Sequence, residues 1–453
     1  LLAAALLAAP LAAPLAAPAQ APADSAIRSV IKERVDAGRF AGIVVGVISP
    51  TGKRRIVAYG PSAGVTPFDG NTVFEIGSIT KTFTASILAD MVKKGELSLS
   101  DPVEKFLPSG TTVPGKDGRT ITLLDIAAQN SGLPRMPANF SPKDPDNPYA
   151  DYSVQQMYDF LAGYTLPRAV GSQYEYSNFA VGLLGHALSL KATQSWEALA
   201  VERVLKPLGM NDTRITLTPS MQKRLAPGHD PAGKVVKNWD LPTLAGAGAL
   251  RSTVNDMLTF VHANADSTSK PLGATFAMAH AERGATGSPN TKIGLLWNRT
   301  RTPAGHTIVW HNGGTAGYRT FAGYREDTGE GVVVLPNTSN SADDMGMHFL
   351  DASVPLAPVP KQRTAITLAP AVLDRYVGVY DLAPAIAMTV TREDDAMYVQ
   401  LTGQPRFQMW AEAEGEFFLR VVDAQLSFVK SAGGSTSSLV LHQNGANQPA
   451  KKR

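Results

Sequence analysis

Ser78-Ile79-Thr80-Lys81 sets a hydroxyl and an amine one helical turn apart, at a point where a helix should begin. Before it, Val73-Phe74-Glu75-Ile76-Gly77 is short, mostly apolar and ends in glycine. After it, Phe83, Ile87, Leu88 and Met91 recur at helical spacing. That spacing puts Ser78 and Lys81 on one face. A serine hydroxyl is a poor nucleophile until a base takes its proton. A desolvated lysine of lowered pKa can be that base, or share the task. The helix N-terminus adds a field that favours developing negative charge. On an open surface the same tetrapeptide would be an ordinary serine and a solvated lysine, so its meaning depends on partners.

Two further clusters are candidate partners. Tyr176-Ser177-Asn178 leads into an apolar helix, Phe179 to Leu190. Read structurally, Asn178 or Ser177 is an N-cap and Tyr176 a packed aromatic. Read functionally, Tyr176 shuttles a proton and Asn178 bonds a substrate amide. The other cluster is Trp310-His311-Asn312-Gly313-Gly314-Thr315-Ala316-Gly317, which follows the strand-like Thr307-Ile308-Val309. Adjacent glycines in a strand imply a bulge, or something approaching the backbone closely. In the functional reading the segment lines a site and the Gly314 N–H faces a carbonyl oxygen.

The order S-x-x-K, Y-x-N, H-x-G resembles the β-lactamase and penicillin-binding-protein superfamily of serine hydrolases. The Y-x-N form is similar to class C β-lactamases, to D-alanyl-D-alanine carboxypeptidases of that branch, and to related esterases and D-aminopeptidases. Leu97 to Val103, Ile121 to Asp125, Asn130 to Pro134, Pro207 to Met210 and Ser252 to Met257 also look familial, so the resemblance spans about 25–350. It implies an acyl-enzyme on Ser78, with Lys81 and Tyr176 sharing the proton transfers. It also implies an oxyanion hole from the N–H groups of Ser78 and Gly314, each such donor being worth roughly 3 kcal/mol in other hydrolases. Asn178, His311, Asn312 and Gly313 would bind substrate. Which of Lys81 and Tyr176 is the base stays open, because coupled titrations belong to the pair.

His311 departs from the class C pattern, which has lysine there. A neutral imidazole is a weaker partner for a carboxylate than a permanent cation, and Arg319 is the nearest substitute cation in sequence. The expected activity is therefore hydrolysis of amide or lactam bonds, with a β-lactamase of class C type first. A D-Ala-D-Ala carboxypeptidase or D-aminopeptidase, a carboxylesterase, and a non-turnover penicillin-binding sensor follow. Gly60-Pro61-Ser62-Ala63-Gly64 matches the nucleophile-elbow pattern G-x-S-x-G, but Val65 to Gly70 cannot continue smoothly into the helix that elbow needs. It reads as a loop.

The elements that must hold these residues come from a chain of 453 residues, long enough for two or three domains. Basic and acidic residues number 42 and 39, which makes no case for nucleic-acid binding. Without cysteine there is no disulfide or thiol chemistry. The eight histidines show no metal-ligand spacing, so no cofactor or metal is expected, only a small-molecule or peptide substrate. Ser25 to Phe40 reads as an amphipathic helix. Gly42 to Ser49 and Arg54 to Gly60 read as strands joined at Pro50-Thr51-Gly52. Helical patterns dominate about 85–290 and strands return over 290–337, so the chain's first and later strands should form one antiparallel sheet. The fold class expected is α/β, an antiparallel sheet flanked by helices plus an all-α region, followed by a small all-β C-terminal domain.

Catalytic residues 24–355 would be followed by a Pro-rich linker, 356–365. Residues 366–453 show strand candidates at about ten-residue spacing, from Tyr376 to His442, suggesting a barrel or sandwich. Tyr376-Val377-Gly378-Val379-Tyr380 is loosely similar to the lipocalin-like domains appended in this superfamily. Residues 1–23, rich in Ala, Leu and Pro with A-x-A-like sites, read as the remnant of an export signal. The prolines argue against a membrane anchor, and an exported, periplasmic or secreted protein is expected.

Overall fold

The computed structural model describes residues 21–60, 67–266, 268, 271–359, 363–383, 386–420, 424–431, 434–443 and 446–453. Ser62 and most of the expected leader lie outside the described residues.

The central element is an eight-stranded antiparallel sheet. Its strands are β1 (Ile43–Ile48), β2 (Arg54–Tyr59), β5 (Gly284–Ala285), β6 (Thr291–Ile293), β7 (Asn298–Arg301), β8 (Thr307–Gly314), β9 (Arg319–Arg325) and β10 (Gly331–Pro336). The order β2-β1-β10-β9-β8-β7-β6-β5 joins the chain's first strands to its later ones, in register at Val45 and Val334. A short separate ladder pairs β3 (Val73–Glu75) with β4 (Arg251–Thr253). That second strand interrupts the region expected to be helical.

Every residue of β1 and β10 is buried, because helices cover both faces. Ile43, Val45 and Val47 pack with Ile27 and Ile31 of the Asp24–Asp36 helix and with Met345 and Phe349 of the Asp343–Leu350 helix. Val44 and Ile48 face the opposite way, into the core with Leu258 and Val261 of the Val254–Ala265 helix. Gly46 lets that helix approach, since a Cβ there would meet Val254 at 2.4 Å.

The Thr80–Lys93 helix is buried on all sides from Thr80 to Met91, so it runs through the core instead of lying on it. Its hydroxyls are satisfied by nearby carbonyls, Thr82 donating to Ile79 and Ser86 to Thr82.

Past residue 363 the chain forms a closed barrel of eight strands, each paired with its sequence neighbours. They are β11 (Gly378–Ala383), β12 (Ile386–Glu393), β13 (Ala396–Leu401), β14 (Arg406–Ala413), β15 (Glu416–Leu419), β16 (Ala424–Lys430), β17 (Thr436–Gln443) and β18 (Ala446–Lys452). The expected segment Tyr376 to Tyr380 is instead split between a 3-10 turn, Asp374–Tyr376, and β11. β18 had no counterpart among the expected strands.

Candidate active site

Ser78 sits in a single 3-10 turn, Gly77–Ile79, which runs directly into the Thr80–Lys93 helix. The helix thus starts two residues after the serine, with a tighter turn in between. This turn is pressed against β8. A Cβ on Gly313 would lie 1.9 Å from the Ile76 carbonyl oxygen, so a side chain there would push the serine turn away. Gly77 adopts φ +49°, the left-handed region, and a Cβ there would come within 2.6 Å of the Gly314 nitrogen. Thr320 of β9 donates to the Ile76 carbonyl at 3.0 Å and secures the contact.

Lys81 is fully buried. Its Nζ lies 2.9 Å from Ser78 Oγ, 2.8 Å from Asn178 Oδ1 and 2.6 Å from the Ala247 carbonyl oxygen. Burial, with the Arg135 cation second, holds the amine well below its ordinary value of 10.5. A neutral amine has two N–H donors and one lone pair. The Asn178 and Ala247 oxygens can only accept, so in that form they would take both donors and leave the lone pair to the Ser78 hydroxyl, whereas in the ammonium form the third N–H donates to Ser78 Oγ.

Ser177 is the N-cap of the Asn178–Ala192 helix. Its Oγ accepts from the Ala180 N–H at 2.9 Å and donates to the Pro134 carbonyl at 2.6 Å. Capping by Ser177 frees Asn178 to face Lys81. The Tyr176 ring stands 4.9 Å from Lys81 Nζ. Burial raises the Tyr176 hydroxyl above its ordinary value, opposed by a hydrogen bond with Ser78 and by Arg135. Tyr176 is therefore a neutral phenol beside an amine of lowered pKa.

His311, expected among the substrate-binding groups, lies behind Tyr176, with ring centroids 6.4 Å apart, and is 3% exposed. It bonds the carbonyl of Asn312 through Nδ1. Burial and then Lys81 push the ring down to about 3, so it is neutral at physiological pH. Asn312, Gly313 and Gly314 line the cleft and His311 does not. Asn312 is held by its Nδ2 donating to Asp343 at 2.7 Å.

The cleft, of about 500 Å³, is also lined by Arg319, and has walls that motif reading missed: Arg135, Tyr149, Trp239, Leu241 and Ala247 among them. The segment carrying Tyr149 is clasped to the one carrying Trp239 by reciprocal bonds. Asn147 donates to Asp240 at 2.9 Å, and the Asp240 N–H returns one at 2.8 Å. Behind Trp239, the buried Glu75 accepts from the Trp239 N–H at 3.0 Å and from Arg251 at 3.2 Å. A backbone acceptor such as Ala247 leaves no composition signal. Glu75 and Arg251 could have been suspected as charges inside apolar strand patterns. Among the described residues no group of His, Asp and Glu is placed to hold a metal, and no helix is long and apolar enough to cross a membrane.

Comparison with known proteins agrees with this architecture. The Beta-lactamase family profile matches residues 27–354, and a domain of unknown function (DUF3471) matches 362–451. A beta-lactamase of Pseudomonas fluorescens is 28% identical, over 66% of this chain and 88% of its own. Penicillin-binding protein 4* of Bacillus subtilis is 26% identical, over 85% of this chain and 88% of its own. The D-alanyl-D-alanine-carboxypeptidase/endopeptidase AmpH of Escherichia coli is 32% identical, over 42% and 48%. A solved beta-lactamase/D-alanine carboxypeptidase from Yersinia pestis shares the fold at TM-score 0.63 and 23% identity, covering 73% of this chain and 99% of its own. With the family profile spanning nearly all of the sheet and the helical region, this chain belongs to the beta-lactamase family of serine hydrolases.

Proposed function

We propose that Ser78 is the nucleophile of an acyl-enzyme cycle that hydrolyses amide bonds, β-lactams first. The observation that carries this reading is Lys81 Nζ at 2.9 Å from Ser78 Oγ, in full burial. Lys81 takes the Ser78 proton through its lone pair as Oγ attacks the carbonyl. The N–H groups of Ser78 and Gly314 receive the oxyanion. Tyr176, a phenol beside both groups, passes the proton to the leaving nitrogen, and later accepts one from the water that releases the acyl group. Asn178 orients both Lys81 and the substrate amide.

The class C activity is supported by the Y-x-N motif and by the beta-lactamase relatives. A D-alanyl peptidase is the second reading, favoured by one observation: His311 is buried and neutral where a class C enzyme has a cation. Sustained turnover of a chromogenic cephalosporin, lost in Ser78→Ala, would bear out the first reading. A single stoichiometric burst would favour the second. Retained turnover in Ser78→Ala would remove Ser78 from the scheme and make Ser62 the next suspect.

We also propose that the catalytic unit ends within the linker, 356–365. Ala357 is still tied to it by bonds to Arg34 and Asp344, whereas the Ile366 N–H already donates to Ala411 of the barrel. Export to the periplasm or medium remains part of the proposal, on the composition of residues 1–23.

A further inference from the structure

Two arginines line the cleft, and the proton-transfer scheme uses neither. The protein's buried arginines, and some half-buried ones, are paired with acids. Arg34 meets Asp344, Arg203 meets Asp90 and Glu96, and Arg251 meets Glu75 and Asp240. Arg135 and Arg319 have no ion pair among the described residues.

Arg135 is exposed, with its Cζ 5.0 Å from the centroid of the Tyr176 ring. Its backbone is fixed, because its carbonyl accepts from the N–H groups of Asn178 and Phe179 at 3.1 and 3.2 Å. The guanidinium is thus held on the Tyr176 flank of Ser78 with its donors unused.

Arg319 occupies the other flank. Its Nη1 lies 1.7 Å from the point where a Cβ on Gly314 would stand, so the guanidinium covers that glycine. Its Nε donates to the Ser339 carbonyl at 3.2 Å, which leaves the terminal nitrogens for the cleft. Asp343 is the acid of this wall, but its Oδ2 is occupied by Asn312 and it forms no ion pair with Arg319. Contacts run from Arg135 through Tyr176 and Lys81 to Ser78, and through Gly77 and Gly314 to Arg319.

Two unpaired cations in one cleft of this size focus a positive field on Ser78. A guanidinium presents a planar fork that matches a carboxylate in bidentate fashion, and the resulting charge-assisted bonds are stronger than neutral ones. We propose that the cleft takes a dianionic substrate, with one carboxylate on Arg135 and another on Arg319, either side of the scissile carbonyl. This deepens, and rests on, the reading of the same cleft as the Ser78 hydrolase site. It also assigns to Arg319 the carboxylate recognition that a neutral, buried His311 does not offer.

The test uses full-length Ser78→Ala protein, so that ligands are not consumed, and measures binding by isothermal titration calorimetry. The ligands are N-glutaryl-D-alanine with two carboxylates, N-pentanoyl-D-alanine with one, and N-glutaryl-D-alanine amide with the other. The dianion should bind about tenfold more tightly than either monoanion, as expected for one added charge-assisted bond. Arg135→Gln and Arg319→Gln should each abolish the advantage of a different carboxylate, and added salt should shrink both advantages. Equal affinities, no binding of the dianion, or advantages that survive both arginine variants would overturn the proposal. Whether Ser78 is the nucleophile is read separately, from turnover by the unmodified enzyme, so the two ideas can fail independently.

Discussion

In the catalytic unit, Lys81, Glu75, Arg251 and His311 are all buried polar or charged groups close to the cleft, whereas in the barrel Thr436 is the only one among the described residues. The barrel's charges form pairs on its outer surface, such as Lys430 with Glu414 and Arg453 with Asp381. Its interior is apolar, with Tyr376, Tyr380, Phe417 and Phe428 in mutual ring contact at 4.8 to 5.6 Å. The difference separates stability from reactivity. Burying an amine costs stability, and around Lys81 that cost is what lowers the pKa of the amine. The barrel carries no such buried charge and is held by its apolar interior and its closed backbone ladder.

Several substitutions would sharpen or break this contrast. Ser78→Ala should lower turnover by at least about a thousandfold while leaving the thermal melt unchanged. Tyr176→Phe should cut kcat by about a hundredfold or more, the usual worth of a positioned proton donor; full activity in steady-state assays would take Tyr176 out of the scheme.

Phe428→Ala should cost about 3 to 5 kcal/mol of barrel stability by opening a cavity, measured by denaturant unfolding, with kcat unaltered. A parallel fall in kcat would mean that the barrel shapes the cleft.

Lys81→Met should abolish turnover but raise stability at neutral pH. The folded pKa of Lys81 lies below the unfolded value of 10.5. The unfolded chain therefore binds the extra proton across that window, and wild-type stability rises with pH. The advantage of the methionine variant should shrink as pH approaches 10.5, in melts taken from pH 7 upward. An advantage independent of pH would show that Lys81 is charged in the fold. The smallest effect is expected at the barrel surface, where Lys430→Ala should leave both the melt and the turnover unchanged.

Local spacing made the candidate residues legible. Ser78 and Lys81 are one turn apart, and Tyr176 and Asn178 flank a helix start, so each pair is readable from a few residues. Their meeting is not local. Lys81 reaches Asn178 across 97 positions and the Ala247 carbonyl across 166. Only the packing of the buried Thr80–Lys93 helix brings them together. Arg135 reads in the sequence like any surface arginine, because nothing local marks a guanidinium that lacks an acid.

In the sheet, the apolar run of β1 signalled a strand but not its neighbour, since pairing with β10 is a long-range choice. β18 was invisible for a different reason. Ala-Asn-Gln-Pro-Ala-Lys-Lys has no strand propensity, and Ala450 is its one buried residue. It is a strand because closing the barrel satisfies its backbone on β17. Pro449 is tolerated since the pairing of β18 with β11 begins only at Lys451.

The most direct test of the central claim is to mix the protein with a β-lactam, stop the reaction in acid, and map the adduct by mass spectrometry of the digested chain. An acyl group is expected on the peptide carrying Ser78, at Ser78 itself, and none in Ser78→Ala. An adduct on another residue, or one that persists in Ser78→Ala, would contradict it.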